Sequence, residues 1–283
     1  MDHLGTWLTE RTASAVAAAW RIPVDLAGAR RLYGGQESLA YRLGDHVVRV
    51  GPRWRTDADL GWSGSVAAAA AREVPEAVAP VPTVDARFVI RVDGRPVTLW
   101  PFVPGNRGDD ADPRQREQAA GLLARLHRAL ATADLGPTPA RTVPAAPVPD
   151  LADDELDAWL ASFSRPRQLV HGDFYAANVL VRDGRIAALL DWDEARVDAP
   201  EWELAGAAWE WGAGLDTLDL TEAGRFVERY LAGGGTATGI DDTALRQLIR
   251  ARIRAEVAYD RATLDDDDDY QDRQLAAFRA LRP

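Results

Sequence analysis

Three oxygen-bearing side chains, Asp173, Asn178 and Asp191, stand at fixed spacing in residues 169–195, LVHGDFYAANVLVRDGRIAALLDWDEA. Apolar, partly β-branched runs at 179–181 and 186–190 flank Asp183-Gly184, a strong signal for a two-residue hairpin turn. Such a turn sets a register in which residue 182 faces 185, 181 faces 186 and Asn178 faces Leu189, with Asp191 diagonal to Asn178 on the same face. An amide carbonyl and a carboxylate then converge at the open end of the hairpin, within reach of one hard cation. Mg²⁺, which takes oxygen ligands and keeps several waters, suits that pair better than zinc. Asp173 hangs over the same mouth, in a loop where Gly172 lets the backbone turn. A carboxylate beside a magnesium site is what phosphoryl transfer needs: it orients an incoming hydroxyl and accepts its proton while cations absorb phosphate charge. Taken singly, each residue reads equally well as an Asx-turn or a helix cap. The signal lies in all three at this spacing.

His171-Gly172-Asp173-Phe174-Tyr175-Ala176-Ala177-Asn178-Val179-Leu180, followed by Leu190-Asp191-Trp192, closely resembles the catalytic and metal motifs of the aminoglycoside phosphotransferase and choline kinase family, distant relatives of the protein kinases. The resemblance implies that Asp173 is the catalytic base and that Asn178 and Asp191 are magnesium ligands, with Trp192 where protein kinases have the Phe of Asp-Phe-Gly. It covers most of the chain and is strongest over 169–205. The fold it implies is α+β, bilobal and protein-kinase-like. A small antiparallel-sheet lobe that binds nucleotide would occupy residues 1–99, a hinge 100–105, and a mainly helical lobe with the catalytic loop and acceptor site 106–283.

On the nucleotide side, residues 31–43 read as a strand, a turn at Gly34-Gly35 and a second strand. That arrangement can lay backbone N–H groups and the Ser38 hydroxyl over phosphates, although a glycine pair in a hairpin is also an ordinary turn. After Gly44-Asp45, a third strand at 47–50 carries Arg49 where the family has a phosphate-binding Lys. Arginine keeps the charge and adds a planar fork of donors, with a different reach; a solvent-facing strand arginine fits the same pattern. The resemblance also calls for a helix acid to pair with that cation. In the helical stretch 57–73 Asp59 is the first choice and Glu73 the alternative, and Asp59 equally suits a first-turn acid favoured by the helix dipole. Within that stretch Gly61-Trp62-Ser63-Gly64-Ser65 fails as a nucleophile elbow, which requires glycine at 65. A further hairpin, 88–92 and 96–100 about Asp93-Gly94, leads into the strip 100–105. There Trp100, Phe102 and Val103 would meet adenine through backbone hydrogen bonds and apolar stacking, and a plain proline-rich linker has the same composition.

The remaining elements supply support. Asp112-Pro113 starts a helix with an N-cap and a first-position proline, and Ala119, Leu122, Leu123, Leu126 and Leu130 mark its buried stripe. His127 beside that stripe reads as a packed, hydrogen-bonded residue outside the site. Asp193 and Glu194 are rival ligands or loop acids, and Glu203 stands where the family commonly has a loop-supporting Asp. Helical patterns fill 221–231, 241–264 and 271–281, and the carboxylate run 265–269 reads as a solvated loop, with a docking edge for a polycation as the minority reading.

Composition narrows the classes. A chain of 283 residues with 47 % hydrophobic content can bury a large core. No cysteine is present, which removes disulfides, thiolate metal sites and cysteine nucleophiles. All 33 basic residues are arginine, so Walker A and Schiff-base chemistry, which need Lys, are excluded. A net charge of −11 disfavours nucleic acid and anionic membranes and suits a cationic partner. Without a signal peptide or a membrane-length apolar run, cytoplasm is the expected compartment. Nothing resembles the activation loop of a protein kinase, which points to a small-molecule acceptor. The expectation is an ATP- and Mg²⁺-dependent kinase of an aminoglycoside or another antibiotic-like acceptor. Amino sugars, amino alcohols, homoserine-like metabolites and macrolides are the alternatives, together with a catalytically silent nucleotide-binding relative.

Overall fold

The computed structural model describes residues 8–33, 38–140, 143–212, 214–263 and 268–283. The chain opens with α1 (Glu10–Trp20), whose N-cap Thr9 accepts from the Thr12 amide. An antiparallel sheet follows in the order β1-β2-β3-β5-β4, from β1 (Arg30–Leu32), β2 (Leu39–Leu43), β3 (His46–Val50), β4 (Val89–Val92) and β5 (Arg95–Pro101). Strand alternation sorts its two faces. Val48 and Val50 are buried with Leu39, Tyr41, Leu43, Val97 and Leu99 against Val16 and Trp20 of α1. Val47 and Arg49, which alternate with them along β3, therefore point to the opposite face, together with their cross-strand partners Trp100 and Thr98. The β4–β5 turn is the expected two-residue one, with both Asp93 (φ 50°) and Gly94 (φ 76°) in the left-handed region.

Between the strands, α2 (Asp57–Ala70) starts at Thr56, whose hydroxyl accepts from the Asp59 amide. Its small-residue face, Val66, Ala67 and Ala70, is fully buried in the core of the helical region. The helix is shorter than its sequence pattern, and Glu73 lies exposed in the turn that follows. Part of the strip read as a hinge is strand. Trp100 and Pro101 belong to β5, and Phe102 then donates its N–H to the Asp45 carbonyl at 2.8 Å.

The helical region begins after β6 (Asn106–Arg107) with α3 (Pro113–Ala131), capped by Asp112 with proline in its first turn. It continues through α4 (Asp154–Ser162), β7 (Gln168–Val170), β8 (Val179–Arg182), β9 (Arg185–Leu189), β10 (Arg196–Asp198) and α5 (Pro200–Gly212). The last elements are α6 (Gly214–Thr217), α7 (Thr221–Ala232), α8 (Asp242–Thr263) and α9 (Asp268–Ala280). Two small sheets, β6-β8-β9 and β10-β7, carry the loops between them. Leu122, Leu123, Leu126 and Leu130 of α3, Trp209 and Trp211 of α5, Phe226 and Tyr230 of α7, and Leu248, Ile249 and Ile253 of α8 share one core. Each large side chain buried there contributes about 1.5–3 kcal/mol. Of the carboxylate run, Asp268 and Asp269 open α9, and the preceding acids lie outside the described residues. Among the described residues no helix is long and apolar enough to cross a membrane.

One buried ion pair fastens the far side of this region. Asp153 caps α4 through the Leu156 amide at 2.9 Å, and its other oxygen meets the guanidinium of Arg250 on α8 and that of Arg282. Arg250, 1 % exposed, also donates to the Phe278 carbonyl at 3.0 Å and to Gln247 at 2.7 Å. Removing one partner leaves the other buried and unpaired, so Asp153→Ala is expected to cost about 3–5 kcal/mol in denaturant unfolding. Asp153→Asn, which keeps a capping oxygen, is expected to cost less.

Candidate active site

The turn after β7 is held by one carboxylate. Glu203 of α5 accepts the backbone N–H of His171 at 3.1 Å and that of Gly172, and lies 2.8 Å from His127 Nε2. Tyr230 OH accepts the Ala237 amide at 2.9 Å and lies 2.7 Å from His127 Nδ1. On its other side the imidazole donates Nε2–H to the Glu203 carboxylate. Burial pushes the Glu203 carboxyl up, but the His127 hydrogen bond and the neighbouring His and Arg side chains together outweigh it, and the group sits at about 2. His127 is thus packed and hydrogen-bonded, one step behind the site. Gly172 has φ 91°, and a Cβ there would lie 2.1 Å from the Glu194 carbonyl oxygen, so only glycine fits.

His171 places its ring between two parts of the loop. Its Nδ1 accepts the Asp173 amide at 3.2 Å, its Nε2 donates to the Leu190 carbonyl at 2.9 Å, and it meets the buried Trp192 edge-on with centroids 4.7 Å apart. The Asn178 amide then donates to both the carbonyl (2.9 Å) and Oδ2 (2.8 Å) of Asp173. With Nδ2 spent, Asn178 Oδ1 is left as an acceptor.

The hairpin departs from the anticipated register. Arg182↔Arg185 and Val181↔Ile186 pair as expected, but the next pairs are Leu180↔Ala188 and Val179↔Leu189, leaving Ala187 as an extra residue. The cause is tertiary. Leu189 donates to the Glu76 carbonyl at 2.6 Å and accepts the Val78 amide at 3.1 Å, and a bulge lets β9 serve both neighbours. Asn178 consequently faces Leu190, whose amide it accepts at 2.8 Å. Asp191, the next residue, takes a left-handed φ of 61°.

Arg49 reaches this turn from β3. Its Nη2 lies 3.2 Å from Asp191 Oδ1 and 3.0 Å from Asp193 Oδ2. Burial opposes charge on all three groups. The two carboxylates nevertheless hold the Arg49 pKa above its ordinary value, and Arg49 holds Asp191 below the usual carboxylate range. Asp193 is pushed up, by burial first. Arg49 takes one oxygen of Asp191, whose side chain is 38 % exposed. An amide oxygen and a carboxylate fit a hard cation that keeps waters, as Mg²⁺ does. Among the described residues no cluster of three His, Cys, Asp or Glu offers another metal site.

The other expected residues divide. Ser38 borders a small pocket with Arg49, Arg55, Thr98 and Asp193. Trp100 donates its indole N–H to Thr98 at 2.8 Å, and its ring centre lies 5.9 Å from the Arg49 guanidinium. Phe102 is covered by Arg42 at 3.7 Å, and Val103 beside it is half-buried. Gly34 and Gly35 lie outside the described residues. Asp59 pairs with Arg55, 3.1 Å away, and not with Arg49. The i,i+4 spacing of Arg55 and Asp59 was a readable signal for that pair.

Residues 28–248 match the phosphotransferase enzyme family. The chain belongs to that family. Its α+β, bilobal, kinase-like fold is shared with an amicoumacin kinase solved with AMP-PNP, Ca²⁺ and Ami, at a TM-score of 0.72 and 16 % identity over 96 % of this chain and 94 % of that one. Among curated proteins, the chain is similar to the homoserine kinase of Methylobacillus flagellatus, 29 % identical over 54 % of this chain and 53 % of the relative. It is also similar to the homoserine kinase of Beijerinckia indica, 33 % identical over 41 % of each. The matches thus span about half the length of these relatives or less.

Beside Asp173 the chain carries a charge cluster that no local motif announced. Arg252 of α8 places Nη2 3.7 Å from Asp173 Oδ1 and 3.8 Å from Glu210 Oε1, and its Nε 2.6 Å from Glu256. Burial pushes the Glu210 carboxyl up to about 7 and raises that of Glu256 as well. Because the whole turn hangs on Glu203, Glu203→Ala is expected to cost about 3–5 kcal/mol in denaturant unfolding. His127→Gln, which retains a donor, is expected to cost less.

Proposed function

We propose that this protein transfers the γ-phosphate of ATP to a hydroxyl group of a small amino-bearing metabolite, with homoserine the first acceptor to test. The observation that carries the reading is the Asn178 amide bound to Asp173 at 2.8 Å while the Asn178 backbone carbonyl accepts the amide of Leu190, the residue before Arg49-bound Asp191. In this reading Asp173 is the base. It accepts the acceptor's hydroxyl proton as the hydroxyl oxygen bonds to the γ-phosphorus and the bond to the β-phosphate oxygen breaks, releasing ADP. Asn178 keeps that carboxylate aimed. Asn178 Oδ1 and Asp191 would hold Mg²⁺, which when bound neutralises phosphate charge. Arg49 exchanges its carboxylate partners for phosphate oxygens, Gly34, Gly35 and Ser38 cover the phosphates, and Trp100, Phe102 and Val103 border the adenine. Asp59 supports this side of the cleft through Arg55.

For the acceptor, the named relatives favour a homoserine-like metabolite over the aminoglycoside or other antibiotic expected first. Charge beside Asp173 supports an amino-bearing molecule: Glu210 and Glu256 outnumber the single Arg252, an excess of negative charge that attracts an ammonium group. The wider antibiotic class stays in the test panel.

The test is nucleotide consumption with Mg²⁺ over homoserine, amino alcohols, amino sugars, aminoglycosides and macrolides. Turnover is expected with an amino-bearing acceptor, and Asp173→Asn is expected to lower kcat by about 10²–10⁴ with nucleotide binding retained. Mg-ATP binding without turnover of any acceptor would leave a nucleotide-binding module instead. A pH series adds a second check. Glu210 titrates at about 7 and is neutral below that value, so its pull on an ammonium group is lost as pH falls. The acceptor KM is therefore expected to rise as pH drops through about 7, and Glu210→Gln is expected to flatten that rise.

A further inference from the structure

We propose that Arg55 is the positioning residue for the metal-side loop, a strut that keeps residues 193–194 docked while Arg49 changes partners. The proposal rests on the phosphotransfer reading above. Arg55 stands just before the N-cap of α2, on the sheet side of the cleft, and its side chain is 3 % exposed. It spans to the far side: Nη1 donates to the Asp193 carbonyl at 3.0 Å and to Asp59 Oδ2 at 3.1 Å, and Nη2 meets Glu194 Oε1 at 2.7 Å. The Trp54 ring lies 4.7 Å from its guanidinium. A cation this buried is tolerated because its partners surround it.

Two arginines thus hold one loop by different atoms. Arg49 binds the carboxylates of Asp191 and Asp193, the groups that a metal and phosphates compete for. Arg55 binds a main-chain carbonyl and the Glu194 carboxylate, on which the phosphotransfer chemistry makes no claim. When Arg49 turns to phosphate, Arg55 still ties the loop to α2. The loop also underlies the base. The Glu194 carbonyl is the atom against which Gly172 packs without room for a Cβ, and Arg196 Nη1 bonds the carbonyls of both Gly172 (3.2 Å) and Glu194 (3.4 Å). A shift at 193–194 is therefore passed to Asp173 on one side and Asp191 on the other. The acid sought for Arg49, Asp59, is bound into this strut.

The test compares Arg55→Lys and Glu194→Ala with the wild type. A lysine ammonium cannot span three oxygens as the fork does, whereas Glu194 is 40 % exposed at its side chain and its truncation leaves the fold intact. The readouts are thermal melting, kcat and KM for ATP and acceptor, and Mg²⁺-dependent ADP binding by calorimetry. Folded Arg55→Lys is expected to lose about ten- to a hundred-fold in kcat. It is also expected to need about ten-fold more Mg²⁺ for half-maximal ADP binding, with acceptor KM near wild type. If Arg55→Lys does not fold, Glu194→Ala decides by the same measures. Wild-type kcat and Mg²⁺ requirement in the deciding variant would overturn the proposal. Should the wild type turn over no acceptor, the phosphotransfer reading fails, and Mg²⁺-dependent ADP binding alone still decides the strut.

Discussion

A carboxylate removed from water must find donors, and Glu203 finds three: two amides of the turn at His171-Gly172 and the Nε2–H of His127. That requirement organises much of the helical region. The other nitrogen of His127 meets the Tyr230 hydroxyl. The hydroxyl in turn is oriented by the Ala237 amide. Residues from α3, α5 and α7 and from the loop after α7 are thereby locked to the backbone from which Asp173 projects. A chain of this kind is costly when any link fails, because every atom in it is buried and polar. The precision of Asp173 is therefore a property of the helical core.

A different balance governs the sheet side. Asp191, Asp193 and Glu194 follow one another within four residues, and adjacent carboxylates repel unless cations are interleaved. In a chain without lysine the cations are arginines, whose planar forks can bridge two oxygens at once. Arg49 does so with one nitrogen and Arg55 with two. The cleft is charge-compensated as it stands, so an arriving polyphosphate competes for Arg49 with carboxylates already in place. The Arg-for-Lys departure acquires a physical meaning here: the longer, forked side chain reaches across to the loop.

The local features were legible because local chemistry causes them. Asp112-Pro113 caps α3, Asp93-Gly94 and Asp183-Gly184 turn their hairpins with both residues at positive φ, and the spacing of Asp173 and Asn178 brings their side chains into a hydrogen bond. What sequence did not disclose depends on distant partners. The bulge at Ala187 arises because β9 also pairs with residues 76–78, which no hairpin rule contains. Trp100 and Pro101 continue β5 because they pair with Val47 and His46 of β3, and proline's missing N–H is tolerated because the β4 side of the strand has no partner beyond Thr98. Asp59 turned to Arg55, four residues back, and not across to Arg49. Arg252 comes to Asp173 only because α8 packs on α5, a juxtaposition no motif encodes.

Asp173 lies where these two balances meet, and its oxygens are not equivalent. Oδ2 is held by the Asn178 amide at 2.8 Å, on the side of the hairpin and its acids. Oδ1 faces Arg252 at 3.7 Å, too far for a hydrogen bond. On the proposed reaction, Oδ1 is then the oxygen open to a hydroxyl, because accepting a proton at Oδ2 would displace the Asn178 hydrogen bond that aims the group. Arg252 in turn must stay on Glu210 and Glu256 for Oδ1 to remain free. An acceptor whose ammonium engaged those two acids would loosen Arg252, so the acceptor's charge and the freedom of Oδ1 are coupled through one guanidinium.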